Sequence, residues 1–202
     1  MIIALGRQHG SNGHLIAHEL AERLNYRCFD KEIVDKAAED SEFSREIFTS
    51  FDEKKVSPYV MPTPHYATMG ETFRLNMQVA AAQFEAIRKL AEEGDCIFVG
   101  RCADYVLRQR KDLIRVFIMA NDDYRTETMM ARNSISREQA AKIIRQVDKD
   151  RSSYYKYYTD QVWGDPKNYD CLLDSSQLNV GGCADVLYAL TEARSRMLQK
   201  HP

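Results

Sequence analysis

Apolar positions along the chain fall into short runs separated by longer amphipathic stretches. "MIIAL", "YRCFD", "CIFVG", "VFIMA" and "CLLD" are each of strand length, and none alternates strictly between apolar and polar. That pattern predicts strands buried on both faces, as in a parallel sheet. Helical periodicity runs between them, over about 14–24, 31–40, 71–93, 122–132, 136–157 and 182–199. The alternation predicts an α/β three-layer domain, a five-stranded parallel sheet with right-handed crossovers and "MIIAL" as its central strand. Ligands in such folds lie beyond the carboxyl ends of the strands. Chemistry is therefore expected at Gly6 to Gly13, at Asp30, at Gly100 and Arg101, and after Ala120.

Two stretches break the rhythm. Residues 53–70, "EKKVSPYVMPTPHYATMG", carry Pro58, Pro62 and Pro64, so no helix runs through them. A long connection in a compact domain is often a binding flap. Residues 145–170, "RQVDKDRSSYYKYYTDQVWGDPKNYD", are dense in charge and tyrosine. With no internal repeat or domain boundary, residues 1–202 read as one domain with an inserted flap (about 31–70) and lid (about 145–168).

Bulk chemistry narrows the function classes. A formal net charge of -2 gives no general electrostatic reason to bind nucleic acid or an anionic membrane. No apolar run approaches the roughly 20 residues that span a bilayer. The amino terminus reads as a first strand rather than a secretion signal. Five cysteines without metal-type spacing suit a reduced, cytoplasmic protein, with Cys96 and Cys171 in apolar, strand-like runs.

The stretch from Ala4 to Leu24, "ALGRQHGSNGHLIAHELAERL", passes from strand to helix through Gly6, Gly10 and Gly13. Backbone N–H groups in such a turn, together with a helix N-terminus, converge on an anion, and glycines let the backbone approach closely. His9, Gly10, Ser11, Asn12, Gly13 and His14 are the candidate nucleotide-binding residues. The fingerprint G-x-x-x-x-G-K-[ST] supplies a lysine for the outer phosphates and a hydroxyl for magnesium. Helix phase puts Gly13 at the lysine position and Leu15 at the hydroxyl position. A ligand-free glycine turn is the plain alternative. Arg7, at the mouth of the turn, is permanently charged and can grip phosphate with two donors, which favours it over His14 as a substitute cation.

Other cations stand at predicted strand ends or on the second irregular stretch. Arg101 follows the run "CIFVG", Lys31 and Lys36 follow Asp30, and Arg145, Lys149 and Arg151 are spaced along one helix. Phosphoryl transfer needs such a set, because its transition state spreads negative charge.

These residues carry a resemblance. "GRQHGSNGHLIAHELAERLNYRCFDKEIV", "IFVGRCADYVL", "VFIMA", "DKDRSSYY" and "WGDPKNYDCLLDSS" run in the order of the cytidylate kinase-like family. That family is a branch of the nucleoside monophosphate kinases with the P-loop fold. The resemblance implies ATP phosphates at His9 to Leu15, with magnesium. It implies an acceptor monophosphate of CMP or dCMP type held by Asp30, Lys31, Lys36 and Arg101, and a lid around Asp150 and Arg151. Arg7, Arg101, Asp150 and Arg151 are then the catalytic candidates. The chain departs from true cytidylate kinases at Gly13 and Leu15, at Lys36 where an arginine stands, and at Cys102 where an aspartate stands.

Rival readings are weaker. His14 and His18 are one helical turn apart, but no carboxylate completes a zinc site, so no resident metal is expected. Tyr154, Tyr155, Tyr157 and Tyr158 interleave with a base as in single-strand binders, yet Asp148, Asp150, Asp160 and Asp165 nearby favour helix packing. Two functions stay open. One is a phosphotransferase moving the ATP γ-phosphoryl group to a small nucleotide substrate; the other is a nucleotide- or anion-binding regulatory module without turnover. Oligomeric state is not legible.

Overall fold

In a computed structural model the described residues are 1–51, 53 and 69–200. Pro58, Pro62 and Pro64, on which the flap expectation rested, lie outside them. Five strands form one parallel sheet in the order β2-β3-β1-β4-β5: β1 Ile2–Arg7, β2 Arg27–Phe29, β3 Cys96–Val99, β4 Leu113–Met119 and β5 Cys171–Asp174. β1 is central, with Ile2 in register with Cys96 on one side and Leu113 on the other.

The α-helices among the described residues are α1 Gly13–Leu24, α2 Glu32–Glu39, α3 Arg45–Phe51, α4 Met69–Glu92, α5 Ala103–Val106, α6 Asp122–Asn133, α7 Arg137–Thr159 and α8 Ser175–Lys200. They cover both faces of the sheet, which is why the strands lack alternation. Ile3 and Leu5 pack with Ile16 and Leu20 of α1 and Leu187 of α8. Ile2 and Ala4 pack on the other face with Ile33 of α2 and Ile87 and Leu90 of α4. Neighbouring strand residues thus bury into opposite layers, and each must be apolar.

Two short helices, α3 and α5, lie where no periodicity was read; four to seven residues are too few to show one. α8 is interrupted at Asn179, whose φ of 54° and ψ of -172° are not helical. Its side chain accepts from the Gly182 amide at 3.0 Å, so the helical pattern read from 182 onward begins at a cap inside the longer element. Residues 145–159 of the expected lid belong to α7. Tyr154 and Tyr155 are buried there against Cys102, with Phe84, Tyr158 and Trp163 packed around them. The Tyr155 hydroxyl donates to buried Asp104 at 2.7 Å and that of Tyr154 to Gln83 at 3.1 Å. Tyr154, Tyr155 and Tyr158 pack helices, as expected, whereas Tyr157 is exposed.

Candidate active site

The carboxyl edge of the sheet carries two constructions side by side. The first is the turn from β1 into α1. Gly10 has φ 82° and Asn12 φ 58°, left-handed conformations of the kind that form anion-binding concavities, and the Ser11 amide between them donates to the Gln8 carbonyl at 3.4 Å. Space demands glycine at 10, since a Cβ there would sit 2.8 Å from the Arg125 carbonyl oxygen. The fully buried Ser11 donates its hydroxyl to the Gln8 carbonyl at 2.9 Å, and Ser175 of α8 donates to the Ser11 carbonyl at 2.7 Å. Asn12 donates to the Tyr124 hydroxyl at 3.1 Å and accepts from Arg132 at 3.0 Å. The first amides of α1 have no partner inside the helix and face outward at its positive end.

A carboxylate already touches this turn. The His9 amide donates to Asp148 Oδ1 at 2.7 Å, and Arg125 grips Asp148 Oδ2 at 2.5 Å. Burial, then the charges of Arg151, Arg132, Arg7 and Arg125, push the His9 ring down to about 4 from an ordinary 6.5. His9 is neutral at physiological pH, held so first by burial and then by the four surrounding guanidinium groups.

The second construction is an arginine corner where β1, β3 and α7 meet. Arg7 ends β1, Arg101 follows β3, and Arg151 comes down from α7. All three turn around Glu53: Arg7 Nη1 lies 2.6 Å from its Oε1, Arg151 Nε 3.0 Å from its Oε2, and the Arg101 amide donates to Oε1 at 3.1 Å. Arg151 also donates to the Arg7 carbonyl at 3.2 Å. The Arg101 guanidinium, 3% exposed, donates to Asp30 at 2.9 Å and to the Val99 carbonyl at 3.1 Å. Gly100, Arg101 and Cys102 are all left-handed, with φ of 82°, 54° and 57°. At two non-glycine residues this costs about 1–3 kcal/mol each. A Cβ on Gly100 would land on the Arg7 guanidinium and the Glu53 carboxylate.

Burial opposes charge here and loses. Desolvation alone would raise the Glu53 and Asp30 carboxyls, yet Arg7, with Arg151 and Arg101 for Glu53 and with Arg101 for Asp30, holds both below the usual carboxylate range. Burial and the neighbouring Arg7 lower Arg151 somewhat from its ordinary value. Asp104 behaves oppositely: burial raises its carboxyl despite the Tyr155 hydrogen bond. The cavity bounded by Arg7, Glu53, Arg101 and Arg151 is about 20 Å³, room for about one water.

The structure thus brings together Arg7, Arg101 and Arg151, and ties Asp30 to them. Asp30 reaches the turn as well, through His14 Nδ1 at 2.9 Å. Other candidates stand apart. Lys36 pairs with Asp40 at 3.1 Å on the surface, and exposed Lys31 opens α2. Asp150 accepts from Gln146 at 3.0 Å and touches none of the arginines of the corner among the described residues. His14 stacks edge-on with His18, ring centroids 4.3 Å apart, and no group of three or more His, Cys, Asp or Glu that could hold a metal ion occurs among the described residues. Leu15, expected at the hydroxyl position, is 46% exposed, but with Gly13 at the lysine position the adjacent hydroxyl position of the fingerprint falls on His14.

Sequence reasoning missed Glu53, Asp148 and Arg125. Asp148 had a signal: Ala140, Ile144, Asp148, Arg151 and Tyr155 follow helical spacing, which puts the acid on the packed face and Asp150 off it. Arg125 likewise shares the buried face of α6 with Met129. Glu53 had none, because its partners are 46 to 98 residues away in sequence.

A parallel sheet with an anion-shaped turn after its central strand, flanked by helices and a cationic corner, defines a kinase-type P-loop α/β fold. The chain belongs to the cytidylate kinase-like family, whose model matches residues 2–177. It is similar to the crystal structure of an uncharacterized protein from Eubacterium ventriosum ATCC 27560, with TM-score 0.73, 29% identity, and 96% and 98% of the two chains covered. Shikimate kinase from Bacteroides thetaiotaomicron (TM-score 0.56, 13% identity, 95% and 98% covered) shares the fold. So does a gluconokinase from Sinorhizobium meliloti 1021 (TM-score 0.55, 12% identity, 99% and 97% covered). No curated protein matches the chain. No helix among the described residues is long and apolar enough to cross a membrane.

Proposed function

We propose that the protein is a phosphotransferase moving the γ-phosphoryl group of ATP to a small phosphorylated acceptor, a nucleoside monophosphate of CMP or dCMP type. One observation carries this reading: a backbone-built anion turn and a three-arginine corner share one sheet edge, and Arg7 belongs to both. In the reaction an acceptor phosphate oxygen attacks the γ-phosphorus while the bond to the β-bridging oxygen breaks and ADP leaves. The amides of Gly10 to His14 hold the donor phosphates. Arg101, tied to Asp30, orients the acceptor phosphate. Arg7 and Arg151 neutralise the charge that spreads over the transferred group.

Magnesium fits this chain poorly as a protein-held ion. Neither His14 nor Leu15 offers a hydroxyl after the lysine position, and Glu53 and Asp148 are committed to arginines, so the chain's residues carry the reaction without a metal ligand among them. A second reading, a binding module without turnover, draws on the same facts.

Arg101 decides between them. A two-pronged guanidinium–phosphate contact contributes a few kcal/mol, at about 1.5–3 kcal/mol per charge-assisted bond. Arg101→Ala should weaken monophosphate binding roughly a hundredfold and leave ATP affinity nearly unchanged. Arg101→Lys should recover only part of the loss. Coupled ADP-release assays over a panel of monophosphates, with calorimetry and melting on the same variants, read both. Unchanged monophosphate affinity with a lowered melting temperature would reduce Arg101 to a partner of Asp30 and defeat the kinase reading. ADP binding without ADP release on any acceptor would favour the module.

A further inference from the structure

The spacing of the glycine turn hides an exchange. In G-x-x-x-x-G-K the first glycine precedes the lysine by six positions. With Gly13 at the lysine position, the second glycine falls on Asn12, whose φ of 58° is glycine-like. The first falls on Arg7. Where the pattern has glycine this chain has a cation, and where the pattern has the cation this chain has glycine.

The two positions compete for one space. A Cβ on Gly13 would lie 2.6 Å from the Cβ of Arg7 and 3.1 Å from its Cγ. Real Cβ atoms do not approach so closely, and neither of these atoms belongs to a flexible side-chain end. Only one of residues 7 and 13 can therefore carry a side chain across the turn. Arg7 uses that space to run its stem past the start of α1, 9% exposed, and bring its guanidinium to Gly100 and Glu53. We infer that Arg7 is the phosphate-binding cation of the turn, supplied from the end of the central strand instead of from the first turn of the helix, by a reciprocal exchange with Gly13. The inference rests on the donor-phosphate role proposed for the turn and names the residue that completes it. An arginine suits the new position because its two-pronged head spans more distance than an ammonium and stays charged beside Arg151.

Swapping the pair back tests this, with ADP and inorganic pyrophosphate as probes in calorimetry, so that no turnover is required. Arg7→Gly should weaken both roughly 10- to 100-fold, as loss of a charge-assisted phosphate contact does. Arg7→Gly combined with Gly13→Lys should return affinity to within about fivefold of wild type, on the same order as the original contact. Gly13→Lys alone should lower the melting temperature by roughly 5–10 °C through overpacking, and most of that loss should vanish in the Arg7→Gly background. This stability cycle needs no ligand and holds even where a single variant binds poorly. An Arg7→Gly protein that binds as wild type would overturn the inference and leave the turn as an anion site. A double variant as weak as Arg7→Gly, or as unstable as Gly13→Lys, would overturn it too, making Arg7 a counter-ion of Glu53. Binding by neither wild type nor the double variant would overturn this inference together with the donor-site reading. If all binding holds and only ADP release is absent, the phosphotransferase reading falls and the exchange stands.

Discussion

The glycine turn and the arginine corner sit on one sheet edge, yet they make a positive site by opposite means. The turn is built from backbone: left-handed Gly10 and Asn12 and the open end of α1 aim N–H groups with no formal charge of their own. The corner is built from three guanidinium groups, gathered by strain at Arg101 and Cys102 and by the absence of a Cβ at Gly100. Each already holds a carboxylate of the chain itself, Asp148 at the turn and Glu53 in the corner. The backbone site tolerates loss of its acid, because amides can be solvated by water. The corner does not, because its cations are buried in a cavity of about 20 Å³ and repel one another. Removing Glu53 is thus the strongest way to separate the two.

Glu53→Gln should destabilise the fold by about 3–5 kcal/mol, the usual cost of breaking a buried ionic group by removing one partner. That corresponds to roughly 10 °C of melting temperature in a domain of this size. Inorganic phosphate should then raise the melting temperature of the variant more than that of wild type, because an anion that binds only the folded state stabilises it by mass action. Equal melting of variant and wild type in phosphate-free buffer would mean the corner does not need its acid.

The two sites also titrate in different windows. The folded-state His9 lies at about 4 against 6.5, so between those values the unfolded chain takes up a proton that the folded chain refuses. Stability should fall by up to about 3 kcal/mol as pH drops from 6.5 to 4, then level off for this group. Glu53 is held below its ordinary 4.5; its contribution is complete above that pH and is lost as pH falls further. Denaturant titrations from pH 7 to 3 should show both phases. His9→Asn should remove the upper one alone; if the upper phase survives, a group other than His9 carries it.

Much of this was legible because the signals are local. A central "MIIAL", two apolar layers and the helix that follows Gly13 are written in nearest-neighbour spacing, and the structure follows them strand by strand. The left-handed turn was legible in part: Gly10, Ser11, Asn12 and Gly13 all suit such conformations, and Gly10 and Asn12 adopt them. The electrostatic partners were not. Glu53 reaches Arg7 across 46 residues and Arg151 across 98, and no local pattern tells a glutamate in a loop to turn inward. Resemblance points to Asp150 on α7, whereas helix phase points to Asp148, the acid that touches the turn.

The smallest expected effect sharpens that last point. Asp148 and Asp150 lie two positions apart on α7 and carry the same charge, but helix geometry turns them about 200° apart. Asp148 is 18% exposed and joins the His9 amide to Arg125. Asp150 accepts from Gln146. Asp148→Asn should cost about 1–2 kcal/mol, because the amide keeps an acceptor for His9 but Arg125 loses the more buried of its two carboxylate partners, keeping the exposed Asp122. Asp150→Asn should stay within about 0.5 kcal/mol, as surface changes do, with ADP and monophosphate affinities within about twofold, close to measurement error. Since both changes remove one unit of charge from the same helix, long-range electrostatics cancel in the difference. Melting and calorimetry on the pair therefore isolate contact with the turn. A tenfold loss of monophosphate affinity in Asp150→Asn, with stability intact, would return that residue to the site and show that α7 turns on binding.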